Sequence, residues 1–330
     1  MGQEENNTPT EGIEPSPIVS APKDTPLHIR FMISLRTGVL RRLVPVWAVS
    51  MVVSLFVIYM LDTLLPFHTA PIVETGSALF FGTFIVSLVC MYVDSTLGMG
   101  YGTTLTPILL LIGYDVLSVV PALLVTQFLA GIAAGVSHQS AGNIDLSKGS
   151  MHLKITSVLA LCGIVGSLIA VKGALSIDEK HLTLAIGLIV VIVGIVILIT
   201  RGQRFHFSWR KIVFLGLVAS FNKGLSAGGY GPIVTGGQIL SGVGGRHAIG
   251  ITALTEGLTC LVATMAWLAS GRINDLSAAY PLVLGAVCSV PLSAYTVRKL
   301  TIRRLTTAIG SLTVILGLVT LYKVYTEFYG

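Results

Sequence analysis

Charge is what this chain has least of. Of 330 residues only 21 are Lys or Arg and 15 are Asp or Glu, 11% in all, against roughly 25% in an ordinary soluble domain. That is too little polar surface to cover a chain of this length in water, so a soluble enzyme is excluded. Cysteine is scarce as well. Cys90, Cys162, Cys260 and Cys288 stand singly inside apolar segments, without the paired spacing of a disulfide framework or zinc site, and are expected as small core residues. Hydrolase elbow, P-loop, metalloprotease helix and dinucleotide fingerprint are all missing. The scattered His, Asp and Cys assemble no nucleophile, base or metal set, so neither an enzyme nor a cofactor is expected.

What is present is apolar residue in long runs: 53% of the chain, with a mean hydropathy of +0.85. The sequence predicts an all-α polytopic membrane protein. Spanning candidates are Leu43–Leu61, Gly76–Val93, Leu117–Ser137, Ile155–Val171, Leu182–Thr200, Ile212–Phe221, His247–Ala269, Ala278–Val297 and Leu305–Lys323. Residues 1–27 are polar and rich in Glu, Pro and Thr, which predicts a disordered cytoplasmic tail. The segment 28–75 then holds one extra helix and an outer loop. The basic clusters Arg30 to Arg42, Arg201 to Lys211 and Arg298 to Arg304 lie between apolar runs. That placement suits orientation in a cytoplasmic (inner or plasma) membrane, not nucleic acid, and puts the N-terminus in the cytoplasm.

Two Gly-rich stretches, Gly98–Gly113 and Gly228–Gly242, are apolar enough for membrane depth and too broken for ordinary helices. They are copies: GMGYGTTLTP from Gly98 aligns with AGGYGPIVTG from Ala227 at an offset of 129 residues. The register persists through Thr126 on Thr255, Leu129 on Leu258, Gly142 on Gly271 and Ile144 on Ile273. The chain therefore reads as two repeats, 76–200 and 201–330. If both Gly-rich stretches cross, each repeat has five segments and the two are inverted, with every basic cluster inside. A re-entrant reading makes the repeats parallel and strands one basic loop outside. The inverted reading is preferred.

Inverted repeats with discontinuous helices are a transporter design, with the substrate near the midplane. Gly98, Gly100, Gly102, Gly228, Gly229 and Gly231 permit positive φ and close backbone approach. Pro107 and Pro232 can open helical turns, leaving free N–H groups that suit an anion. Thr103, Thr104, Thr106, Asn222, Ser226 and Thr235 could orient a ligand, and the repeated pair Tyr101 and Tyr230 could gate or line the site. Of the charges at membrane depth, Lys223 falls on Asp94 at the repeat offset, and Glu256 on Gln127. Lys223 reads as an anion ligand or as half of an Asp94–Lys223 ion pair joining the repeats. Glu256 has no cationic neighbour in sequence, which makes it the better carrier of a coupling proton. His138 and His247, at helix ends, are expected at the interface. Glycines that merely let helices pack, a cation channel using Gly-Tyr-Gly as a filter, and an intramembrane enzyme are the alternatives.

The segments GMGYGTTLTPILLLIG and AGGYGPIVTGGQILSG, with HQSAGNID from His138 and SGRIN from Ser270, make the chain similar to the TauE/SafE sulfite exporter family. The resemblance spans about residues 76–325 and implies movement of a sulfur-containing anion such as sulfite, thiosulfate or an organosulfonate. A small anion and the lipid bilayer are the expected partners, with a homodimer left open.

Overall fold

The computed structural model describes residues 39–64, 76–200, 208–297 and 302–329. The tail, the outer loop and most basic clusters lie outside them. Eleven helices follow in order: α1 Val39–Leu64, α2 Ala78–Leu97, α3 Tyr101–Ile112, α4 Val116–Ser140, α5 Met151–Leu175, α6 Glu179–Thr200, α7 Trp209–Ser226, α8 Tyr230–Leu240, α9 Gly245–Ser270, α10 Ala279–Thr296 and α11 Ile302–Tyr329. Local chemistry fixes several starts. Ser77, Asp115 and Ser150 accept hydrogen bonds from the N–H groups of Phe80, Ser118 and Leu153, at 3.1, 2.9 and 3.1 Å. Each such cap stabilises its helix by about 1 kcal/mol.

Seven of the described helices are long and apolar enough to cross a membrane: α1, α2, α4, α5, α6, α9 and α10. The run at Ile212–Phe221 is part of α7, which carries Arg210, Lys211 and Lys223 and falls short of that standard. Side chains such as Phe56, Leu161 and Phe214 are more than 60% exposed, an arrangement lipid accepts and water does not.

The two repeats interlock. α5 packs on α7 as α10 packs on α2, and α9 packs on α5 as α10 packs on α4. At the centre α4 and α9, equivalents in the two repeats, lie against each other and run antiparallel. Asn274 Nδ2, just past the end of α9, donates to Asp115 Oδ1 at the start of α4 at 2.9 Å. Farther along, Gly131 meets Gly257, Gly135 meets Leu254, and His138 meets Gly250. A Cβ on Gly131 would stand 2.8 Å from the Gly257 Cα, so the glycine pair sets how closely these helices cross.

The Gly-rich stretches turn out more regular than the sequence suggests. Only 98–100 and 227–229 are non-helical; α3 and α8 are continuous helices of 12 and 11 residues. At 1.5 Å per residue each reaches less than 20 Å, short of a hydrocarbon core of roughly 30 Å, so neither crosses alone. The Lys323 ammonium donates to Leu110 O near the end of α3 at 2.7 Å, which ties α3 back to the end of the bundle holding Asp115. Pro107 lies in mid-α3, whereas Pro232 stands in the first turn of α8. The expectation that both prolines open a helix holds only for the second.

Candidate functional site

The two breaks meet. A Cβ on Gly102 would run into Ala227 O and the Gly228 Cα. One on Gly231 would run into Gly98 O and the Met99 Cα. These are one contact made twice, since Gly102 and Gly231, like Gly98 and Ala227, are 129 residues apart. The glycines thus divide by task. Gly98, Gly100 and Gly229 have φ of 71°, 128° and 73° and turn the chain. Gly102, Gly228 and Gly231 bring the two backbones together. Ala227, which the repeat sets on Gly98, holds φ 55° as the sole non-glycine of positive φ among the described residues.

The threonines hold this junction. Thr235 Oγ1 donates to Gly98 O at 3.0 Å, and its repeat equivalent Thr106 donates to Ser226 O at 2.9 Å. Each hydroxyl reaches the break of the opposite repeat. Thr103 Oγ1 donates to Gly100 O at 3.2 Å, and Thr104 N–H to the same carbonyl at 3.1 Å. Tyr101 and Tyr230 are fully buried; Tyr101 Oη shares a 2.8 Å hydrogen bond with Ser87 Oγ on α2. Both tyrosines, with Gly102 and Gly231, lie in the first turns of helices, whose carbonyls point along the axis. They do not form the stacked carbonyl ring of a cation filter.

Where the breaks meet, the helix N-termini of two opposed repeats point into a water-poor centre. The model of the sulfite exporter TauE/SafE family matches residues 83–320. The chain belongs to this family. Its sequence is also 26% identical over 235 residues to the probable membrane transporter protein YtnM of Bacillus subtilis (strain 168), covering 65% of this chain and 73% of that one. No solved structure matches. The protein is accordingly a multi-pass membrane transporter.

In this TauE/SafE protein the buried charges sit beside the junction, arranged differently from the sequence expectation. Lys223 is fully buried. Its ammonium donates to Glu256 Oε1 and Gln127 Oε1, both at 2.6 Å, and to Ala227 O at 2.9 Å. An ammonium has three N–H groups, and all three are engaged. Lys223 therefore has no donor over for an anion in this conformation, and its ion-pair partner is Glu256, not Asp94. Glu256 in turn does have a cationic neighbour, 33 residues away in sequence. Gln127 Nε2 also donates to Glu256 Oε1 at 3.2 Å, so the equivalent side chains of α4 and α9 meet. Asp94 accepts from the Tyr101 N–H at 3.0 Å, which seats its carboxylate on the first turn of α3. A small cavity of about 10 Å³ lies between Asp94 and Glu256, bordered by Gln127, Gly131 and Ala253. That is close to the least space that holds a water molecule.

Asn222 is buried, and its Nδ2 lies against the Gly229 Cα, where an added Cβ would strike it. Its Oδ1 lies 3.1 Å from Ser226 Oγ. Val193 on α6 covers the same glycine and clusters with Leu97 and Met99 around the breaks.

The histidines were expected at the interface, and His138 is fully buried instead. Its Nε2 lies 3.2 Å from Ser95 O, and Asn143 Nδ2 donates to its Nδ1 at 2.9 Å. Asn143 O is in turn 2.7 Å from His247 Nδ1, and His247 stacks on His152 with ring centroids 4.5 Å apart. The GNID motif thus ties its loop to the α9 start. Sequence reasoning singled out neither Ala227 nor Ser87. The repeat offset could have found Ala227, since it sets that residue on Gly98; no signal marks Ser87.

Proposed function

We propose that this transporter carries a small anion, a sulfur oxyanion or an organosulfonate, bound at the midplane where the two breaks meet. The observation that carries the reading is the meeting of two short-helix N-termini from opposite repeats. Each supplies unpaired backbone N–H groups and about half a positive charge. A dehydrated oxyanion gains most from such donors in a site that excludes water. Family membership supports the sulfur chemistry.

The two repeats are inverted in the membrane. The antiparallel course of α4 and α9, which are repeat equivalents and both long enough to cross, supports this. The pseudo-twofold axis then lies in the membrane plane, through the site, as alternating access between two faces requires.

Counterflow into proteoliposomes tests the function. Vesicles preloaded with unlabelled sulfite, thiosulfate or methanesulfonate should accumulate the labelled anion from outside. Potassium flux without anion counterflow would replace this reading with a channel.

A further inference from the structure

The two helix N-termini at the junction are equivalent by the repeat, yet the protein treats them differently. On α3 the position is filled: the Asp94 carboxylate accepts the Tyr101 N–H at 3.0 Å and supplies the negative charge that a helix N-terminus favours. On α8 the residue in the Asp94 position is Lys223, and its ammonium is turned away to Glu256, Gln127 and Ala227. Among the described residues no side chain caps the first turn of α8, whose N-cap is Gly229. What is aimed there is Asn222 Nδ2, an amide nitrogen that is buried, lies against Gly229 and has no hydrogen-bond partner among the described residues. A buried donor left unmatched costs about 1–3 kcal/mol, a cost that a bound acceptor removes. The N–H groups of the α8 first turn and this amide are all donors, and all converge on one point.

We infer that the transporter holds one anion per chain, on the α8 N-terminus, with Asn222 as its side-chain ligand, and that Asp94 is a built-in anion occupying the matching half-site on α3. The inference rests on the anion-transport reading and deepens it. The anion is one that takes several donors at once and offers no proton of its own, which fits a fully ionised sulfur oxyanion or sulfonate. The pair Asp94 and Lys223 is thus where the duplicated halves have diverged, from two equal half-sites to one filled and one open.

Thiosulfate is a suitable probe because it keeps its charge across the neutral range. Binding to the full-length protein in detergent, followed by calorimetry, should give one thiosulfate per chain. Asn222→Leu, close in volume and without donors, should weaken binding by about 10- to 100-fold, the effect of one hydrogen bond to a charged group. Asn222→Asp keeps the shape and lets the chain cap α8 with its own carboxylate, so it should abolish binding while the thermal midpoint holds or rises. Asp94→Ala should lower the thermal midpoint, and formate, small enough for the vacated place, should restore it. Two thiosulfates per chain, undiminished binding in Asn222→Asp, or no rescue of Asp94→Ala by formate overturns the inference. Failure of the wild-type protein to bind any sulfur anion overturns the anion-transport reading as well, so the two failures are told apart.

Discussion

Replacing Lys223 with Met removes the cation at the centre of the bundle and keeps most of the side-chain volume. Three acceptors then lose their donor: Glu256 Oε1, Gln127 Oε1 and Ala227 O, at 2.6, 2.6 and 2.9 Å from the ammonium. Both partners of the ion pair are nearly or fully buried, with side-chain exposures of 0% and 6%, so solvent cannot compensate. Removing one member of such a pair costs about 3–5 kcal/mol, a factor of roughly 10² to 10³ in the unfolding equilibrium. The double variant Lys223→Met, Glu256→Gln removes both charges and keeps an acceptor for the Gln127 amide. Neutral replacement of a buried pair is often without net cost, so the double variant should unfold within about 1 kcal/mol of wild type. The cycle of wild type, two single variants and the double, measured by denaturant unfolding in one detergent, should give a coupling of about 3 kcal/mol. Additivity within about 0.5 kcal/mol would mean that the pair does not hold the junction, and the placement of Lys223 as its structural clamp would fall.

Other substitutions separate the turning glycines from the contact glycines. Gly102→Ala puts a methyl group into Ala227 O and Gly228, where only backbone could yield, and should prevent the two repeats from seating, seen as loss of folded protein on size exclusion. Gly229→Ala meets chiefly the movable Asn222 amide and a φ of 73°, a strain of about 1–2 kcal/mol. It should leave a folded protein without counterflow, and normal counterflow in this variant would remove the α8 terminus from the site. Gly131→Leu should separate α4 from α9, lowering stability by more than any substitution of the exposed Leu161. In the loop after α4, hydrogen bonds from Ser147 N–H and Oγ hold the exposed Asp145 carboxyl below its ordinary range. A lowered carboxylate stabilises the folded loop above the ordinary carboxylate range and loses that effect as pH falls. Hydrogen exchange at Ser147 should therefore quicken below pH about 4 and be independent of pH in Asp145→Asn.

The membrane class, the duplication, the positions of the breaks and the two charged pairs at the repeat offset were legible from residue order. They depend on composition, apolar run length and local backbone preference, which act within a few residues or repeat at a fixed interval. Partner choice was not legible. Lys223 and Asp94 coincide under the repeat, which made them a natural pair, yet the repeat aligns positions in two copies and does not report which side chains face each other. Glu256 looked unpaired for the same reason: its cation is on another helix. His138, at a helix end in sequence, is buried because the loop from Gly142 folds over it and presents Asn143 to its ring.

Sequence by itself determined that the chain lies in a membrane as two similar halves, each with a glycine-broken segment. Lipid leaves too little charge and too much apolar length for any other solvent, and glycine at 98, 100 and 229 is what a left-handed turn demands. Tertiary structure alone decided that the breaks meet backbone to backbone, that Lys223 gives all its protons to the protein, and that α3 keeps its own carboxylate while α8 is left open. Those outcomes depend on how helices far apart in sequence cross. At that crossing a single methyl group at Gly102 or Gly231 would keep the two halves apart.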